Sequence, residues 1–176
     1  MQVSNMFKVI HSESQILNFL EKRKNAIKSL EKLPDINSTY INYIKEFKGV
    51  EITPDIILMS YEEALKENEY LKEKFPLVQE NHWIFGVSGQ GDSWLIEKKT
   101  NKILFFDHNQ GEFNKSNAFI HLGIGFCAFI RMAFLYKDLE EFIDKNEFNR
   151  EHENQFKKEL NSLSPNLYDC YPYKYI

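Results

Sequence analysis

Apolar side chains at Ile16, Leu17, Phe19, Leu20, Ile27 and Leu30 recur at roughly helical intervals until Pro34 interrupts them. Ser12 followed by Gln15 has capping-box spacing, so the pattern predicts a first helix of about five turns ending before Pro34. Asp35 to Phe47 repeats the theme: Tyr40, Ile41, Tyr43, Ile44 and Phe47 share one side, and Lys48-Gly49 reads as a cationic last turn with a glycine stop. Ile56 to Met59, after Pro54, is too short for a helix and reads as a strand. Ser60 and Glu63 then form a second capping box, opening a third helix that runs to about Lys74.

Three runs follow closely: His82 to Val87, Asp92 to Lys98, and Lys102 to Asp107. Ser88-Gly89-Gln90-Gly91 and Lys99-Thr100-Asn101 separate them, which predicts an antiparallel meander. Trp83, Phe85 and Val87 alternate with Ile84, and Trp94 and Ile96 with Leu95, so neither face is polar and helices should cover part of each. From Ala118 to Tyr136 the strongly polar side chains are His121 and Arg131, a window that a search for membrane spans would flag. An arginine near the middle of a span costs about 2.5 to 3.5 kcal/mol. Gly123 and Gly125 also split the run into a short strand-like piece and a helix from near Phe126, so a buried helix of a soluble protein is expected. That helix turns amphipathic where Asp138, Glu140, Glu141 and Asp144 appear, and continues to Phe142 and Ile143. Asn149 to Leu163 is helix-competent and ends before Pro165; the tail from Tyr168 to Tyr175 is aromatic and reads as non-helical. The pattern is an α+β fold, an antiparallel meander packed with helices, in a single domain over residues 1–176.

Composition narrows the function. The 176 residues are 43% hydrophobic, enough for one core and too apolar for a disordered chain. Twenty-two basic against twenty-six acidic residues leave a net charge of −4. That balance argues against a nucleic-acid binder and points to a basic partner. The only cysteines, Cys127 and Cys170, are too few for a disulfide scaffold and are expected as reduced thiols. The reduced thiols point to a cytoplasmic home, and residues 1–12, with one lysine, Lys8, and no apolar stretch of signal-peptide length, make secretion by that route unexpected.

Candidate chemistry is sparse. Gly86 to Gly91 invites a phosphate-loop reading, but a strand follows where a helix N-terminus would be needed, which favours a hairpin turn. His11, His82, His108, His121 and His152 lack the spacing of metal ligands, so neither a metal nor a cofactor is expected. Adjacent Asp107 and His108 would point to opposite faces of a strand, favouring a strand-ending turn over an acid–base pair. Cys127, between Phe126 and Ala128 on the most apolar helix, is expected to be buried and inert. Lys22, Arg23, Lys24 and Lys28 read as a solvated face of the first helix.

The order of parts says more than any motif. A helix ends in Phe47-Lys48-Gly49; Ile56 to Ser60 follows; then come the aromatic hairpin from Trp83 to Ile96, the Ile103 to Asp107 run, and Gly125-Phe126-Cys127-Ala128-Phe129. Over residues 38–143 this resembles the SUKH superfamily, the fold of the yeast cell-wall assembly regulator and of many bacterial immunity proteins. The resemblance implies a non-enzymatic domain that neutralises a protein toxin by binding it, with no catalytic residues. Contact candidates are Asp92, Trp94 and Glu97 on the hairpin and Asp107 with His108 beyond it, because loops and strand ends on a rigid sheet commonly carry function. The competing reading makes Trp94 a core residue and the charges incidental. Two other functions stay open: a regulatory interaction module, and a small hydrolase using Cys127 or Asp107 with His108.

Overall fold

The computed structural model describes residue 7, residues 12–113 and residues 119–176. Six strands form one antiparallel sheet in sequential order: β1 (Val50–Thr53), β2 (Ile56–Leu58), β3 (His82–Val87), β4 (Ser93–Glu97), β5 (Ile103–Phe106) and β6 (Phe119–His121). Around it lie α1 (Glu13–Leu17), α2 (Ser38–Glu46), α3 (Tyr61–Lys74), α4 (Pro76–Asn81), α5 (Phe126–Asp144), α6 (Arg150–Leu163) and α7 (Leu167–Cys170). The α+β architecture expected from the pattern is therefore present. No helix among the described residues is long and apolar enough to cross a membrane.

Sequential order places each strand beside its chain neighbour, the cheapest way to pair strands. The cross-strand pairs Trp94 with Phe105 and Ile96 with Ile103 set one face of the sheet. On it Phe85 meets Phe126 and Phe129, and Trp94 meets Phe129, with ring centroids 5.0 to 5.4 Å apart. The Trp83 indole N–H donates to the Tyr40 hydroxyl at 2.8 Å, so α2 and α5 both cover this face. On the other face Phe106 stacks on Phe113 at 4.1 Å, and Phe75, at the α3–α4 corner, reaches Phe113 at 5.6 Å. Helices reach both faces, as the mixed alternation required.

β2 is too short to pair with all of β3, and α3 makes up the deficit. β2 bonds only Gly86 and Val87. Farther along, the amide of buried Asn68 accepts from the Ile84 N–H at 2.9 Å and donates to the Ile84 carbonyl at 2.7 Å, as a neighbouring strand would. Gly86 sits where β2 and β3 come closest: a Cβ there would lie 2.8 Å from the Ile57 carbonyl oxygen. Alanine in a strand ordinarily outperforms glycine. Here Gly86→Ala is expected to cost about 1 to 3 kcal/mol instead, because backbone must move, and a lower urea midpoint with an unchanged slope checks it.

The first predicted helix is the main departure. Only Glu13–Leu17 is helical, capped by the expected Ser12–Gln15 box, and the chain from Asn18 to Asn37 is irregular. In it the N–H groups of Arg23, Ile27 and Lys48 donate to the carbonyls of Glu46, Lys45 and Glu21 at 2.8 to 2.9 Å. Two of those acceptors, Lys45 and Glu46, are carbonyls that the end of α2 leaves unpaired. The basic group is therefore not a helix face: Arg23 forms a two-pronged pair with Glu62 of α3, at 3.0 and 2.5 Å.

The C-terminal tail has one short helical turn, α7, and then runs extended. Its tyrosines at alternate positions all turn inward. Tyr171 stacks on Tyr136 at 3.9 Å, Tyr173 meets Phe105 at 5.4 Å, and Tyr175 meets Tyr136 at 5.4 Å. The tail thus straps the α5 side of the sheet.

Candidate functional site

The β3–β4 turn is built around Ser88 and Asp92. Gly91 takes the left-handed conformation the turn requires (φ 97°). The Ser88 hydroxyl accepts from the Asp92 N–H at 3.1 Å and donates to Asp92 Oδ2 at 2.8 Å. Asp92 Oδ1 accepts from the His108 N–H at 3.1 Å and from His108 Nδ1 at 2.7 Å, and the Tyr173 hydroxyl donates to Oδ2. One carboxylate, 3% exposed, thereby joins the hairpin turn, the 3-10 turn at His108–Gln110 and the tail.

Burial is the largest influence on the Asp92 carboxyl and pushes its pKa up. The hydrogen bonds from Tyr173, His108 and Ser88 together outweigh it and hold the group below the usual carboxylate range. Asp107 caps the 3-10 turn, accepting from the Asn109 N–H at 2.8 Å, and chiefly this bond lowers its pKa. Asp107 and His108 are therefore not a pair, in agreement with the strand-ending turn. The partner of His108 comes from the hairpin instead.

Ligand atoms of Asp92, Asp107 and His108 lie within 4.8 Å of one another, so among the described residues these are the groups that could converge on a cation. Each Asp92 oxygen already accepts two donors, and a cation would have to displace the bonds that hold the turn and tail. As an acid–base unit the order is also unhelpful. In a serine–histidine–carboxylate triad the imidazole bridges hydroxyl and carboxylate; here the carboxylate lies between Ser88 and His108.

Of the five predicted contact residues, the structure gathers Asp92, Asp107 and His108 at one end of the sheet and leaves Glu97 at the other end of β4, half-buried and bonded to Thr100. Trp94 is a correction. It is completely buried among Phe105, Phe129 and Tyr171, with its N–H donated to the Asp55 carbonyl at 2.8 Å, so it belongs to the core and cannot anchor a partner. Asp92 is likewise internal, and His108 and Asp107 are what this end presents outward. Cys127 is half-buried rather than buried, as is Cys170; neither forms a disulfide.

A second feature lies outside those residues. Phe75, Pro76, Leu77, Val78, His82, Phe113 and Phe119 line an apolar groove of about 430 Å³, with Lys74 at its rim. Leu77, on α4, is 77% exposed, and Ile120, on the last strand of the sheet, is 38% exposed. The apolar run Phe75-Pro76-Leu77-Val78, directly after the predicted end of α3, was the available signal.

No family model matches the chain, and no curated protein or solved structure matches it either.

Proposed function

We propose that this protein works by binding another protein, as a cytoplasmic immunity protein that neutralises a cognate toxin. The observation that carries the binding reading is the groove beside α4, whose rim leaves Leu77 in water. Apolar side chains grouped in a concavity mark a contact surface more often than chance exposure does. The toxin reading is supported by the order of α2, the β3–β4 hairpin and α5, which is the order that resembles the SUKH superfamily. A net charge of −4 would favour encounter with a basic toxin.

The test is growth rescue by co-expression with the toxin encoded beside this gene, together with binding of the purified pair. Leu77→Asp is expected to weaken binding at least about tenfold, the scale of a modest hot spot, while thermal unfolding stays unchanged because Leu77 packs against little. A neighbouring gene whose product is not toxic, or a toxin not rescued by co-expression, overturns the toxin reading. Binding unaffected by Leu77→Asp removes the groove as the surface.

A further inference from the structure

The tail carries a hydrogen-bond arrangement that does not balance unless an extra proton is present. The Tyr175 hydroxyl lies 2.5 Å from Asp55 Oδ2, in the β1–β2 turn, and 2.7 Å from Glu140 Oε1, on α5. A phenol has a single proton to donate. With both carboxylates ionised, one of these contacts would set two lone pairs against each other. The shorter contact, to Asp55, suits a hydroxyl donating to a carboxylate, for which about 2.5 to 2.7 Å is typical, and the longer one, to Glu140, is also compatible with a bond between neutral oxygens at about 2.7 to 2.8 Å.

We propose that Asp55, Tyr175 and Glu140 form a proton-held latch on the C-terminal tail. Protonated Glu140 donates to the Tyr175 oxygen, Tyr175 donates its own proton to ionised Asp55, and loss of the Glu140 proton releases the tail. The donors run one way, Glu140 to Tyr175 to Asp55, and every oxygen in the chain is matched.

The surroundings favour the protonated form. Burial is the main force raising the Glu140 pKa. The Tyr175 bond opposes it, and the charges of Asp55, of Asp144 on α5 and of Glu51 on β1 add to it, all negative. Tyr136, one helical turn back on α5, and Tyr171 complete the pocket with phenols. The sign follows. A carboxyl whose pKa is raised by folding contributes most at low pH, and its contribution is lost as pH rises from the ordinary glutamate range through the folded value. The latch therefore holds in acid and loosens toward neutral and basic pH. Release of Tyr175 would uncover the ring of Tyr136, against which it packs.

The test uses the full chain in three forms: native, Glu140→Gln and Tyr175→Phe. Carbon-13 NMR of the side-chain carboxyls is expected to show Glu140 titrating above an ordinary glutamate. In Tyr175→Phe, which keeps the ring and deletes the bridge, Glu140 should still titrate high, because burial remains and the bond that opposed it is gone, while tail exchange should be fast at pH 5 and pH 8 alike. Amide exchange of Tyr173 to Ile176, corrected for intrinsic rates, should accelerate at least about tenfold between pH 5 and pH 8 in the native chain, as local opening of the tail becomes easier. In Glu140→Gln it should change less than twofold, because the glutamine amide donates at any pH as the protonated acid does. An ordinary titration of Glu140, tail exchange in Tyr175→Phe that keeps the native pH dependence, or pH-independent exchange in the native tail each overturns the latch. The pH dependence of tail exchange in Tyr175→Phe decides alone should Glu140→Gln fail to fold.

Discussion

Trp94→Ala is expected to remove about 3 to 5 kcal/mol of folding stability, the range for truncating a large buried aromatic. Few single side chains in this protein hold as many layers together. Trp94 lies at the centre of the sheet on β4, against Phe105 on β5 and Phe129 on α5, with Tyr171 of the tail stacked on it. Its N–H also ties β4 to the β1–β2 turn through the Asp55 carbonyl. A domain of this size is ordinarily stable by about 5 to 15 kcal/mol, so the loss is a large fraction of the whole. Trp94→Phe divides the effect. It keeps a ring against Phe105 and Phe129 but leaves the Asp55 carbonyl unpaired, a loss of about 1 to 3 kcal/mol. Urea unfolding followed by tyrosine fluorescence and far-ultraviolet dichroism measures both. A Trp94→Ala protein with a native midpoint would refute the placement of this side chain in the core.

The same residue shows what a linear pattern conceals. Its alternation with Leu95 was readable, yet a face reserved for a partner and a face covered by a helix and a tail have the same periodicity. Only the return of Tyr171, 77 positions later, decides the matter for Trp94. Elements that carry their own boundaries were legible. α3 runs from the Ser60 cap to Lys74, and β3 spans His82 to Val87, because capping and turn residues lie within the segment. Elements whose partners are remote were not. The first helix stops at Leu17 because the following residues satisfy the end of α2 instead of their own helix. β1 is four residues closed by Pro54, too brief for its alternation to register. α4 begins at Pro76, which reads as a breaker but is tolerated in the first turn, where its missing N–H costs nothing.

The candidate site follows the same division. That Asp107 and His108 do not pair follows from strand geometry, and that His108 pairs with Asp92 follows only from register. Ser93 sits opposite Phe106, which brings the residue before β4 beside the residues after β5. A meander with short turns contains that register implicitly, but a one-residue slip would place Asp92 elsewhere. The Tyr173 contribution, from 81 positions away, has no local signal at all.

Asp92→Ala is the second large effect expected, about 3 to 5 kcal/mol, since it breaks a buried hydrogen-bonded charge network by deleting its centre. The hydroxyls of Ser88 and Tyr173 and the N–H of His108 would all lose their acceptor together, and the hairpin turn, the 3-10 turn and the tail would lose their common tie. Tyr173→Phe removes one donor and leaves the others, so a loss nearer 1 kcal/mol is expected. The pH dependence separates a network from simple packing. The Asp92 pKa is lowered by folding, so its contribution is fully present above the ordinary carboxylate range and disappears as pH falls through the folded value. Native protein and Asp92→Ala should therefore differ most near pH 7 and converge in strong acid, which urea midpoints measured from pH 7 down to pH 2 would show. A difference that stays constant across that range would mean that the Asp92 side chain fills space and that its charge holds nothing together.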